Sequence, residues 1–163
     1  MRPFCLALLV VFVAACDSGS DSDPGRFEAT FTGDVSATLR GDAAIQRLTF
    51  PDATGELFVT MVPDGALSDP TAVRSLSLGG LDEVTGTGTY SLDADGARSL
   101  SLVYIGFGNG PTLSARSGTV TLTRFEDDRI EGTFEAEMEE TFGGDGAEAR
   151  VEGTFSARPL SFR

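Results

Sequence analysis

Histidine, lysine and tryptophan are all missing from this 163-residue chain, and only two cysteines are present. Without histidine, the chain lacks the commonest general base and transition-metal ligand, and a serine nucleophile has no imidazole to activate it. A zinc site built from histidine and cysteine is excluded for the same reason. The basic residues are twelve arginines against 25 acidic residues, so the formal net charge is −13. That charge disfavours contact with phosphates, and we expect no nucleic-acid partner.

The apolar run at the N-terminus covers residues 4–13, which is too short to span a bilayer as a helix. Small residues follow it. This pattern is typical of a secretory signal peptide, and an ordinary cleaved signal is one interpretation. The residues Val13, Ala14, Ala15 and Cys16 also resemble the lipobox of bacterial lipoproteins. In that family the peptide is cleaved before the cysteine, which is linked to diacylglycerol and then acylated. The resemblance therefore implies a covalent lipid on Cys16.

The chain divides into three predicted segments. Residues 1–15 form the cleaved signal peptide, residues 16–25 the lipidated cysteine with a flexible acidic Ser/Asp tether, and residues 26–163 one domain. Cys5 leaves with the signal peptide, so Cys16 has no disulfide partner. We expect the protein to be monomeric. We also expect it to associate with the membrane through the lipid anchor.

The tether carries two conflicting indications of location. Its repeated Asp/Ser pattern resembles the acidic stretch that directs lipoproteins to the cell surface in some Gram-negative groups. Asp17, directly after the cysteine, resembles instead the inner-membrane retention signal of enteric-type bacteria. We predict a surface-exposed outer-membrane lipoprotein, with the periplasmic face of the inner membrane as the alternative.

Alternation of apolar and polar residues with period two recurs after residue 26, and no segment shows a helical period. Twenty glycines and seven prolines separate these runs. The pattern predicts an all-β domain of about eight to ten antiparallel strands, joined as a meander into a closed or nearly closed barrel. A β-sandwich is the alternative. Tyr104 continues the apolar face of Leu100 and Leu102, so we predict a core position for it.

Two near-copies, I-E-G-T-F-E-A at 130–136 and V-E-G-T-F-S-A at 151–157, predict a hairpin with its turn at Gly144 and Asp145. The predicted inner-face pairs are Met138–Val151, Ala136–Gly153 and Phe134–Phe155. The predicted outer-face pairs are Glu139–Arg150, Glu137–Glu152, Glu135–Thr154 and Glu131–Arg158.

A second hairpin precedes this one, and we predict a three-residue loop over residues 126–128 with Asp128 left-handed. This loop pairs Val120 with Phe134 and Leu122 with Gly132. The outer face then carries a ladder of threonines: Thr119, Thr121, Thr123, Thr133 and Thr154.

The order of segments also resembles a group of uncharacterised bacterial lipoproteins whose domain ends in paired G-T-F strands. The matching segments include G-T-G-T-Y-S-L (86–92), S-G-T-V-T-L-T (117–123), R-I-E-G-T-F (129–134) and V-E-G-T-F-S (151–156). That group has no established activity, so the resemblance implies a fold and an envelope location but no reaction.

Few residues are candidates for chemistry. Asp93 and Asp95, followed by Gly96, resemble the start of a calcium loop, but the downstream bidentate glutamate is missing and a hairpin turn is the competing interpretation. Phe107, in a Gly-rich turn, is a candidate for contact with a ligand. The glutamates of the last hairpin form an acidic face, which we interpret as a solvated strand face; they are Glu131, Glu135, Glu137, Glu139 and Glu152.

These observations favour a non-catalytic envelope module that binds a small apolar ligand, a glycan or a protein partner. A structural or adhesive surface protein without a pocket is the alternative, and a carboxylate-only hydrolase is the least favoured function. We expect no cofactor beyond the lipid on Cys16.

Overall fold

The computed structural model describes residues 25–50, 53–65, 74–92, 100–106, 110–142 and 146–159. Cys16, Asp93, Asp95 and Phe107 lie outside the described residues, so the predictions made for them stay predictions. The strands are β1 (Gly25–Gly33), β2 (Ala37–Phe50), β3 (Ala53–Pro63), β4 (Arg74–Gly79), β5 (Gly88–Ser91), β6 (Ser101–Gly106), β7 (Thr112–Glu126), β8 (Arg129–Phe142) and β9 (Glu148–Pro159).

Eight strands close into an antiparallel β-barrel in meander order, which runs β1, β2, β3, β4, β6, β7, β8 and β9. The ring closes because β9 pairs antiparallel with β1 along most of its length. The short strand β5 pairs with β7 outside the ring. The predicted all-β meander barrel is confirmed, and the sandwich alternative is wrong.

The inward-facing side chains form one continuous apolar cluster. On β1, Phe27, Ala29 and Phe31 are buried, as the alternation predicts, and the Phe31 ring packs 5.0 Å from that of Tyr104. Tyr104 is 3% exposed, which confirms its predicted core position. Burial raises the pKa of its phenol, because the charged form is poorly solvated there. No polar or charged residue is buried within the described ranges, apart from this phenol.

The turn between β7 and β8 differs from the prediction. Glu126 pairs with Arg129, so the turn contains only Asp127 and Asp128, and the three-residue loop is wrong. Asp128 is not left-handed, because no non-glycine residue in the described part of the chain has a positive φ.

The predicted partners on these two strands are nevertheless confirmed, since Val120 faces Phe134 and Leu122 faces Gly132. The register shifts by one residue just beyond Leu122, where Thr123 forms a bulge. The bulge accommodates one extra residue on β7, so a two-residue turn is compatible with these pairs.

The predicted register of β8 with β9 is wrong by two residues. The observed inner-face pairs are Met138–Ala149, Ala136–Val151, Phe134–Gly153 and Gly132–Phe155. The observed outer-face pairs are Glu139–Glu148, Glu137–Arg150, Glu135–Glu152 and Glu131–Ser156. A slip of two residues keeps every side chain on its predicted face, because the period of a strand is two.

Packing inside the barrel accounts for the observed register. Each phenylalanine of the repeated motif lies opposite the glycine of the other copy. A Cβ on Gly153 would overlap Cζ of Phe134 and the Glu28 carbonyl oxygen. The predicted pairing of Phe134 with Phe155 would instead have set two rings directly opposite each other. They are buried diagonal neighbours, with ring centroids 6.3 Å apart.

The first strand that the structure describes, β1, begins at Gly25. A Cβ there would overlap the Ser156 carbonyl oxygen, so glycine allows β1 to lie closely between β9 and β2. Just beyond this point β2 and β9 pair directly, at Ala44 with Arg158 and at Ile45 with Pro159. Among the described residues, no helix has the length and apolarity that a membrane span requires.

Candidate functional site

Two adjoining shallow grooves lie on the outer face of the barrel, across β1, β9, β8 and β7. Their volumes are about 540 and 530 Å³. They share three lining residues, Glu28, Thr133 and Thr154, so we treat them as the two halves of one outer groove. The groove exists because ring closure brings β1 beside the repeated motifs of β8 and β9.

The first half, which we call the acidic half, has three carboxylates among its lining residues and no arginine. The lining residues are Glu28, Thr30, Thr119, Thr121, Thr133, Phe134, Glu135, Glu152, Gly153 and Thr154. Glu135 and Glu152 lie directly opposite each other on neighbouring strands. Arg150 Nη2 approaches Glu135 Oε2 at 3.5 Å, whereas the Glu152 side chain makes no hydrogen bond or ion pair within the described ranges.

The second half, which we call the balanced half, contains as many arginines as glutamates. Arg26 and Arg40 line it together with Glu28 and Glu131. Glu131 is held by an ion pair with Arg129 and accepts a hydrogen bond from the Ser156 hydroxyl at 3.0 Å. Both carboxylates of this half are therefore partnered, because Glu28 pairs with Arg40. Arg26 is held by ion pairs with Asp42 and Asp64.

Glu28 lies at the boundary between the halves and is held by Arg40, whose Nη2 donates to Glu28 Oε1 at 2.7 Å. This hydrogen bond lowers the pKa of the Glu28 carboxyl. A lowered pKa means that the pair stabilises the fold at neutral pH, and that this contribution is lost as the pH falls through the lowered value.

Threonine hydroxyls cross the groove in a row that spans four strands. Thr154 pairs with Thr133, Thr133 with Thr121, and Thr121 with Thr89 on β5. The Thr89 and Thr121 hydroxyl oxygens are 3.0 Å apart and hydrogen-bonded. The hydroxyls of Thr133 and Thr154 have no protein hydrogen-bond partner in the part of the chain that the structure describes, and both side chains are exposed to solvent in the groove.

The predicted acidic face and threonine ladder are both confirmed as outward-facing surface of the last two hairpins. Sequence reasoning missed the contribution of β1 and β2, namely Glu28, Thr30, Arg26 and Arg40. Their alternation shows that these side chains point outward, but only ring closure shows that they lie beside β9.

A metal site finds no support in the described residues, where no group of three or more Asp, Glu, Cys or His side chains is arranged to hold an ion. Asp93 and Asp95 stay predictions because they lie outside those ranges.

Salt is expected to stabilise the barrel through the like-charged pair Glu135–Glu152. The other facing pair, Glu139 and Glu148, has a counter-charge in Arg116, which approaches both carboxylates. We expect the thermal midpoint to rise by a few degrees between low and moderate sodium chloride, and calcium at matched ionic strength to add nothing. Glu152→Gln should reduce this salt dependence, whereas Glu137→Gln, whose parent side chain faces Arg150, should not. A midpoint that rises with calcium well below the millimolar range would indicate a bound ion instead.

The fold and the groove together define an up-and-down β-barrel with a packed apolar interior and a polar groove on its outer wall. A scan against protein-family models finds no match for this chain, and searches of curated proteins and of solved structures find none either.

Proposed function

We propose that this chain is a lipid-anchored envelope protein that binds a saccharide, without catalysis, in its outer groove. The Val13–Cys16 pattern supports the anchor, and the acidic Ser/Asp stretch after Cys16 supports an outer-membrane, surface-exposed location. The periplasmic face of the inner membrane is the alternative location.

The observation that carries the saccharide proposal is the set of solvent-accessible hydrogen-bonding groups in the groove that have no protein partner in the described part of the chain. Thr30, Thr119, Thr133 and Thr154 can each donate and accept through a hydroxyl, and Glu152 can accept through a carboxylate. Sugar hydroxyls also donate and accept, so they match such a surface better than an apolar molecule does. An apolar ligand would need an apolar site, whereas threonines and glutamates make up most of the lining of the acidic half of the groove.

The other functions have weaker support. A structural or adhesive protein without a pocket would leave the hydroxyls of the groove bonded only to water. A carboxylate-only hydrolase needs a carboxyl group that keeps its proton near neutral pH, which requires an enclosed or apolar setting. Glu135 and Glu152 are both exposed, so they lack that setting.

Binding can be tested by titrating oligosaccharides of different composition into the full chain purified in detergent. Thr133→Val and Glu152→Gln are each expected to weaken the affinity about fivefold, because a lost hydrogen bond contributes about 1 kcal/mol. Thr60→Val is the matched control, since Thr60 faces outward on β3, on the opposite wall of the ring. The proposal fails if no saccharide binds, or if Thr60→Val weakens binding as much as Thr133→Val.

A further inference from the structure

We infer that the hairpin of β2 and β3 is a second membrane contact, which lies on the same bilayer that holds the lipid anchor. The part of the hairpin that protrudes comprises residues 46–50 and 53–58, and we call it the ribbon. Its outer face contacts the interfacial region of a phospholipid bilayer. This inference rests on the proposed lipid anchor at Cys16 and adds to it an orientation of the barrel on the membrane.

The ribbon extends beyond the wall of the barrel. β2 pairs with β1 and β9 only up to Ile45, and β3 pairs with β4 only from Val59 onwards. Within the described ranges, the residues of the ribbon therefore pair only with each other. Five residues of strand at about 3.3 Å each project roughly 16 Å. A two-stranded ribbon is marginally stable in water by itself, so a contact with another surface stabilises it.

The two faces of the ribbon have different surroundings. The inner face continues the barrel interior, since Leu57 packs against the core cluster and the short 3₁₀ helix Leu81–Glu83 lies against β3. Alternation places Gln46 and Phe58 on the outer face, directly opposite each other. Both of these side chains keep part of their surface accessible. The outer face therefore presents an accessible aromatic ring beside an uncharged polar side chain.

The chain that carries the lipid reaches the barrel at the base of the ribbon. Gly25, the first residue of β1, pairs with Ala43, and β2 runs antiparallel to β1. β2 therefore continues past Gly25 toward the side from which the tether arrives. Eight residues, 17–24, separate Cys16 from Gly25. At no more than about 3.6 Å per residue, they keep the base of the ribbon within roughly 30 Å of the lipid.

The charge of the ribbon also suits a membrane contact. Residues 46–58 include Arg47, Asp52 and Glu56, whereas β8, of similar length, has five glutamates and one arginine. An anionic bilayer therefore repels the β8 wall more strongly than the ribbon. A linker of this length holds the ribbon at an effective concentration on the order of millimolar near the bilayer, so a weak interfacial contact is populated.

A single tryptophan can report on this contact, because the chain contains no other. Gln46→Trp and Phe58→Trp place the reporter on the outer face of the ribbon. Phe142→Trp is the matched control, since Phe142 is 74% exposed at the last residue of β8. β8 runs in the same direction as β1, because β9 is antiparallel to both, so Phe142 lies at the end of the barrel away from Gly25.

Each full lipidated chain is reconstituted into phosphatidylcholine vesicles, with and without lipids brominated near the headgroup end of their acyl chains. We expect the brominated lipids to quench the emission of Gln46→Trp and Phe58→Trp, because bromine quenches tryptophan only at short range. The emission of Phe142→Trp should be the same in both kinds of vesicle.

A second substitution tests whether the aromatic side chain makes the contact. In the Gln46→Trp protein, Phe58→Ser is expected to remove most of the quenching, whereas Phe142→Ser should leave it unchanged. Flotation with the vesicles shows that each variant is still anchored. Urea midpoints, compared with that of the parent, establish that each is folded.

Two results would overturn the inference while leaving the proposed anchor intact: equal quenching of the ribbon reporters and the control, and quenching that Phe58→Ser does not reduce. Emission of the ribbon reporters that moves to shorter wavelength as the protein-to-lipid ratio rises, without quenching by bromine, would identify a second copy of the chain as the occupant instead. If the parent chain does not float with the vesicles, the proposed anchor fails together with the inference.

Discussion

Cys16→Ser is expected to move the protein from the membrane fraction to the soluble fraction, or to leave it as an uncleaved precursor. The physical reason is that anchoring depends on acyl chains, which contribute about 0.8 kcal/mol per buried methylene, and serine cannot carry the thioether. Detergent phase partitioning with mass measurement of the product checks both outcomes. The expected change is close to complete, because the rest of the chain offers strongly acidic surface to an anionic membrane.

Cys5→Ser is the matched control for this experiment. Cys5 lies in the apolar run that is predicted to be removed, so its replacement should leave partitioning unchanged. A Cys16→Ser protein that still enters the detergent phase like the parent would refute the lipoprotein prediction.

Phe134→Ala is expected to lower the free energy of unfolding by about 3–5 kcal/mol. The ring is 3% exposed and lies over Gly153, so truncation leaves a cavity that the neighbouring backbone cannot fill. Urea unfolding measures the effect. Phe142→Ala on the same strand is the control, because Phe142 is 74% exposed and should change stability by less than about 0.5 kcal/mol.

A double-mutant cycle with Gly153→Ala distinguishes the observed register from the predicted one. In the observed register the new methyl group collides with the Phe134 ring, so Gly153→Ala should cost less stability when Phe134 is already alanine. The expected coupling is at least about 0.5 kcal/mol. Additive effects of the two substitutions would show that Phe134 does not lie over Gly153.

The repeated motif shows which features of this protein the local pattern of residues predicts. Alternation assigns Glu131, Thr133 and Glu135 to the outer face and Ile130, Gly132 and Phe134 to the inner face, and each of these assignments is observed. Alternation is insensitive to a slip of two residues, however, because such a slip leaves every face unchanged. The register is therefore decided by volume inside the barrel, where the Phe134 ring occupies the space that a side chain at residue 153 would need.

Local pattern is also insufficient at the β7–β8 hairpin, where it does not show the position of the extra residue. Alternation correctly predicts that Val120 pairs with Phe134, but it places the extra residue in the loop. The chain places that residue at Thr123 instead, as a bulge that lets a tight turn and the inner-face pairs coexist. A bulge and a longer loop give the same local alternation of apolar and polar residues, so only the assembled sheet distinguishes them.

The sequence by itself determined the strand class, the side of each strand that faces the core, the acidic and threonine-rich outer surface and the lipobox pattern, because each depends on neighbours within a few residues. Only the tertiary structure decided that β1 closes the ring against β9 and brings Glu28, Thr30 and Arg40 to the repeated motifs. Residues 28 and 154 are far apart in the chain, and nothing in their local pattern records that they are neighbours. Their meeting depends on how the apolar faces of all eight strands fill one interior, and the outer groove exists only as a consequence of that closure.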